Sequence, residues 1–145
     1  MKPSIFLADD DDDDCILFQD AINEVAQDHE LVISYDGQEL LETLDARVPP
    51  EPRLIFIDLN MPRKNGIECL QEIKTIDKLK HIPVIILSTS SQSVSIESAY
   101  VNGADLYITK PGTYSLLKKT IQTVLAIDWS TCRPFPFDQF FLSIS

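Results

Sequence analysis

Five short apolar runs, at residues 4–8, 31–34, 54–57, 84–87 and 105–108, alternate along the chain with segments of helical spacing. The runs are rich in Ile, Leu, Val and aromatic residues, as strands are. Between them apolar side chains recur every three or four positions: Phe18, Ile22 and Val25, then Leu40, Leu41 and Leu44, then Ile67, Leu70 and Ile73, and finally Leu117, Ile121, Val124 and Leu125. Val94, Ile96, Ala99 and Tyr100 make a weaker fourth helix. Strands separated by helices imply a parallel sheet covered on both faces, because parallel neighbours need crossover connections. The uninterrupted apolar character of VIIL agrees with a doubly covered strand. Asp36-Gly37 is expected as a turn, Pro49, Pro50 and Pro52 separate the second helix from the third strand, and Asn102-Gly103 fits a left-handed stop.

At 145 residues the chain suits one domain with a true core. A net charge of -11 repels a phosphate backbone, so protein partners and a cation are expected rather than nucleic acid. The apolar start at residues 4–8 is too short for a signal peptide and no later segment could span a bilayer, which predicts a cytoplasmic protein without membrane attachment. Cys15, Cys69 and Cys132 form no CxxC pair, so buried inert thiols are expected rather than a disulfide or zinc site.

The run at 54–57 ends on a single carboxylate, Asp58, followed by a Pro-containing loop, LNMPRKNG. In open α/β sheets ligands bind beyond the carboxyl ends of the strands. Asp9 to Asp14 form six consecutive acids directly after the first strand. Asp12, Asp13 and Asp14 read most simply as acids favoured in a helix amino-terminal turn, with Asp12 as a cap. Asp9 and Asp10 sit where the strand ends, and a flavodoxin-like order 2-1-3-4-5 makes the first and third strands neighbours, so that both converge on Asp58. Two unit charges about 4 Å apart repel by roughly 4 kcal/mol at an effective dielectric of about 20. Such a cluster must hold a proton or a cation, and its oxygen-only donors suit Mg2+. Ser88 and Lys110 end the fourth and fifth strands on the same edge, giving a hydroxyl donor and a mobile positive charge for a phosphoryl group.

IFLADDD, LIFIDLNMPRKNG, PVIILSTS and NGADLYITKP, in this order, make residues 4 to about 128 resemble the response regulator receiver domains of two-component signalling, a family that includes the chemotaxis receiver. That receiver is a standard example of the doubly wound order. The resemblance implies a flavodoxin-like (βα)5 fold with a five-stranded parallel sheet, and Asp58 as phosphoacceptor. It implies Asp10 as a direct Mg2+ ligand, Asp9 as a ligand acting mostly through water, and the Asn60 backbone carbonyl completing the set with Asp58. It further implies Ser88 as the switch hydroxyl, Lys110 as the charge-balancing lysine, and Tyr107 as the aromatic residue that turns inward on activation.

Together these readings predict a two-component phosphorelay protein that takes a phosphoryl group from a sensor histidine kinase or phosphotransfer protein. It would catalyse only its own phosphorylation and dephosphorylation. With no effector domain expected after the fifth helix, output would pass to a downstream protein or through a homodimer, by way of the fourth helix, fifth strand and fifth helix, or by handing the phosphoryl group onward. A metal-dependent phosphohydrolase also places an aspartate nucleophile at a strand end, but its haloacid dehalogenase-like pattern needs a second Asp where Asn60 stands. A receiver-like binding module that is never phosphorylated is the third reading, and the complete set of site residues argues against it. Residues 129–145 carry four Phe and two Pro without a sustained period, and are expected to be an extension packing on the 1–128 domain or on a dimer partner. His29 and His81 are expected as loop residues away from the crevice, and Trp129 as a packing anchor.

Overall fold

Period-two alternation within each strand decides which face of the sheet its side chains cover. Ile5 and Leu7 of β1 (Ser4–Ala8) enter one core, while Phe6 and Ala8 enter the other. In β3 (Leu54–Asp58) Leu54 and Phe56 separate from Ile55 and Ile57 in the same way, as do Ile85 and Leu87 from Val84 and Ile86 in β4 (Val84–Ser88). A computed structural model describes residues 2–131 and 133–142. One face of the sheet carries α1 (Asp12–Val25) and α5 (Tyr114–Leu125) through Phe18, Ile22, Ile121 and Val124. The other carries α2 (Gly37–Arg47), α3 (Gly66–Thr75) and α4 (Ser93–Val101) through Leu40, Leu44, Leu70, Ile73 and Ala99.

With β2 (Glu30–Ser34) and β5 (Leu106–Thr109), all five predicted strands form and pair in parallel. Their order is β2-β1-β3-β4-β5, so β1 and β3 are neighbours and the crevice between their ends exists as expected. Among the described residues the sheet nevertheless has six strands. A short helix α6 (Phe137–Phe140) leads into β6 (Phe141–Leu142), which pairs in parallel with β5 at Tyr107 and Ile108. The two described residues of β6 are too few for a periodic signal, and sequence patterning accordingly ends near residue 128.

Aromatic side chains seat this last stretch. Trp129 donates to the Val124 carbonyl at 3.2 Å and packs edge-on against Phe135. Phe140 is fully buried among Tyr100 and Tyr107, with ring centroids 5.1 and 6.4 Å away. Arg133 reaches the opposite end of the sheet, donating to both carboxylate oxygens of Asp105 and to the His81 carbonyl.

Local punctuation differs from expectation in two places. Asp36 is the cap of α2 and Gly37 its first residue, so the pair opens a helix rather than forming a free turn; a Cβ on Gly37 would lie 2.1 Å from the Lys64 carbonyl oxygen. Asp11, and not Asp12, caps α1, accepting from the Asp14 N–H at 3.0 Å. Asn102-Gly103 behaves as predicted, with Gly103 at φ +96°. Burial pushes the Cys15 and Cys69 thiols up to about 12, while Cys132 lies outside the described residues. His29 lies in a loop as expected, with its ring 6% exposed: Arg53 donates to its Nε2, which leaves Nδ1–H for Asp28. Among the described residues, no helix is long and apolar enough to cross a membrane.

Candidate functional site

β1 and β3 deliver Asp9 and Asp58 to adjacent strand ends, where both are buried, and Asp10 follows Asp9 at the exposed rim. One carboxylate oxygen from each of Asp9, Asp10 and Asp58 lies within 4.8 Å of the others. Backbone geometry holds two of the three. Asp9 accepts from the Asp11 N–H at 3.0 Å, and Asp58 accepts from the Asn60 N–H at 3.3 Å. The loop that follows Asp58 is equally fixed. Asn65 and Glu68 form a reciprocal cap on α3, and a Cβ on Gly66 would stand 2.5 Å from the Asp58 carbonyl oxygen. Arg63, at φ 64°, grips Asp36 with two hydrogen bonds.

Lys110 crosses from the end of β5 to the acids. Its backbone N–H donates to the Ser88 carbonyl at 2.8 Å, tying the ends of β4 and β5 together. Its ammonium donates to Asp14 at 2.7 Å, to Asp9 at 3.0 Å and to Asp58 at 3.2 Å. Burial by itself favours the neutral amine, but the bonds to Asp14 and Asp9 outweigh it and raise the lysine pKa above its ordinary value. Burial raises the Asp9 pKa, against the opposing pull of the Asp11 N–H and Lys110. The site therefore carries an excess of negative charge held by hard oxygen donors, a donor set that fits a divalent cation of the magnesium or manganese kind.

Ser88 lies on the same edge, fully buried, and its hydroxyl accepts from the Ser90 N–H at 3.1 Å. Tyr107 is fully buried too, its hydroxyl donating to the Ser90 carbonyl at 2.7 Å. Its ring occupies an inward position. Phe140 and Phe141 lie against its ring, with centroids 6.4 and 5.9 Å away. Asp14 is the site residue that sequence reasoning assigned to a helix turn alone, and its contact with Lys110 spans 96 positions.

The fold and this edge define a class of signalling module, doubly wound, in which a strand-end carboxylate faces two further acids and a lysine. The chain belongs to the response regulator receiver domain family, which it matches over residues 5–122. Response regulator Rcp1 of Synechocystis sp. is 36% identical over 124 residues, covering 83% of this chain and 84% of the relative. Among solved structures, the phosphorylated cyanobacterial phytochrome response regulator RcpA superposes with a TM-score of 0.80 at 35% identity, covering 90% of this chain and 96% of that one. The Mn2+-bound form of Rcp1 gives 0.76 at 34%, covering 89% and 96%. Receiver domains work as signalling modules between histidine kinases and downstream targets.

Proposed function

We propose that this protein is a phosphoacceptor response regulator that takes a phosphoryl group onto Asp58 from a histidine kinase or phosphotransfer protein. The observation that carries the reading is the meeting of Asp9, Asp10 and Asp58 with Lys110 bonded to two of them. Asp9, Asp10, Asp58 and the Asn60 carbonyl would hold Mg2+. When bound, the ion supplies positive charge that offsets repulsion between an anionic nucleophile and the phosphoryl oxygens. Asp58 attacks phosphorus in line, forming an O–P bond as the bond to the donor nitrogen breaks, and the donor imidazole keeps that electron pair. Lys110 balances charge on a phosphoryl oxygen, and Ser88 offers its hydroxyl to another.

The added phosphoryl group, with up to about two negative charges, draws Ser88 and the loop after β4 toward it. Ser90 follows, because its N–H is bonded to Ser88 and its carbonyl to Tyr107. The altered surface comprises α4, β5 and α5, and it signals to a protein target or a second copy. In this reading 1–128 is the receiver and 129–145 an extension; packing of Phe140 on Tyr107 supports a role for the extension in sensing the switch.

Acetyl phosphate with Mg2+ tests the proposal by intact-mass measurement. Wild-type protein should gain one base-labile phosphoryl group and Asp58→Asn none. Labelling that persists in Asp58→Asn would refute the assignment.

A further inference from the structure

An ammonium has three N–H donors, and all three of Lys110 are committed to carboxylates, with the shortest bond, 2.7 Å, going to Asp14. Asp14 is held in place to make that bond. It is the third residue of α1, where an acid commonly reaches back to the N–H of the cap residue. Here the Asp11 N–H is already taken by Asp9, and the Asp14 N–H is fixed on the Asp11 carboxylate, both at 3.0 Å. The Asp14 side chain, 41% exposed, is therefore free to turn across to Lys110. A cavity of about 120 Å³, lined by Asp14, Phe18, Lys110, Gly112 and Leu117 among others, gives the lysine room to move.

We propose that Asp14 is a positioning residue that detains Lys110, restraining phosphoryl acceptance while strengthening the pull of the site on a divalent cation. The inference rests on the phosphoacceptor reading of Asp58. A phosphoryl oxygen can gain an N–H from Lys110 only if a carboxylate gives one up. Asp9 and Asp58 belong to the acid triad that would turn to a cation, whereas Asp14 stands outside that triad and keeps competing for the lysine. Its negative charge also opposes an anionic phosphodonor and attracts a cation.

The test compares Asp14→Asn, Asp14→Glu and Asp13→Asn with wild type. Asp13 is the exposed neighbour in the same helical turn, so its substitution makes the same change in net charge. Two quantities are read: Mg2+ affinity by calorimetry, and the acetyl phosphate labelling rate at saturating Mg2+. Asp14→Asn should weaken Mg2+ binding and speed labelling, each by about three- to tenfold, the range for one unit charge about 6 Å from a singly or doubly charged group in near-bulk dielectric. Asp14→Glu should keep the wild-type Mg2+ affinity, and Asp13→Asn should move both quantities by less than about twofold.

A general loss of structure would lower both quantities together, so opposite signs identify the positioning role. Slower labelling in Asp14→Asn, or behaviour indistinguishable from Asp13→Asn, overturns it while the phosphoacceptor reading stands. Wild-type protein that takes no label overturns both.

Discussion

Each end of the sheet gathers a buried carboxylate with basic side chains, and the two gatherings balance differently. At the amino-terminal end, Asp105 accepts from the Val84 N–H at 2.8 Å, from Arg133 at 2.8 and 3.3 Å, and from Lys74 at 3.4 Å. One acid there meets two cations and a backbone donor. At the carboxyl end, Asp9, Asp14 and Asp58 share the single ammonium of Lys110, with Asp10 beside them. A carboxylate matched by two cations and a backbone donor acts as a fastener, whereas a group of acids short of positive charge is a seat for a cation. Polar residues at strand ends thus divide by charge balance, which their burial alone does not reveal.

The largest expected effect breaks the fastener. Asp105→Ala strands the Val84 N–H and leaves Arg133 and Lys74, 24% and 19% exposed, with the His81 and Lys80 carbonyls in place of a carboxylate. A loss of about 3 kcal/mol in urea unfolding is expected, and a loss under about 1 kcal/mol would show that the balanced end is not structural. Next comes cation binding at the other end. Mg2+ at about one hundred times its dissociation constant should add about 2.7 kcal/mol and raise the melting temperature. Asp10→Asn should blunt that rise, and an unchanged wild-type melt would contradict the charge deficit.

A smaller effect has the opposite sign. In chelator, Asp10→Asn should raise the melting temperature slightly, because it removes repulsion where Asp105→Ala removes attraction. The smallest effect compares two lysines. Burial, aided by the Arg133 charge, lowers the Lys74 pKa in spite of Asp105, so the folded value lies below the unfolded value near 10.5. The Lys74 contribution to stability is then present above pH about 10.5 and lost as pH falls through the folded value. Lys110 runs the other way, its raised pKa giving a contribution present below the unfolded value and lost as pH rises through the folded one. Urea midpoints between pH 8 and 10.5 should rise less steeply, or fall more, in Lys74→Met than in wild type; parallel profiles would remove the contrast.

What was legible in the sequence follows from the range over which each residue acts. Asp58, Ser88 and Lys110 each end or follow an apolar run, so the rule that parallel strands share a reactive edge located them without any contact being known. Asp9 and Asp10 were separable from the rest of the acid run by the same argument. Asp14 was not, because a helix turn already gives an acid a sufficient local reason to be there. Its partner, Lys110, becomes a neighbour only once α1 and β5 are packed. Arg133 was hidden for a similar reason: its match with Asp105 crosses 28 positions and requires the last stretch to double back. The buried state of Tyr107 depends on Phe140 and Phe141, whose arrangement no periodic pattern announces.

The two described residues of strand β6 have an effect out of proportion to their number. A sheet margin with open N–H and C=O groups is a template on which other polypeptides can grow by strand addition. Here the margin beside Tyr107 and Ile108 is already taken by the chain's own Phe141 and Leu142. Any incoming peptide that reads β5 in that manner must first evict them and draw Phe140 from its socket. Recognition there becomes an exchange of one ligand for another, and its strength is set by how firmly the resident is held.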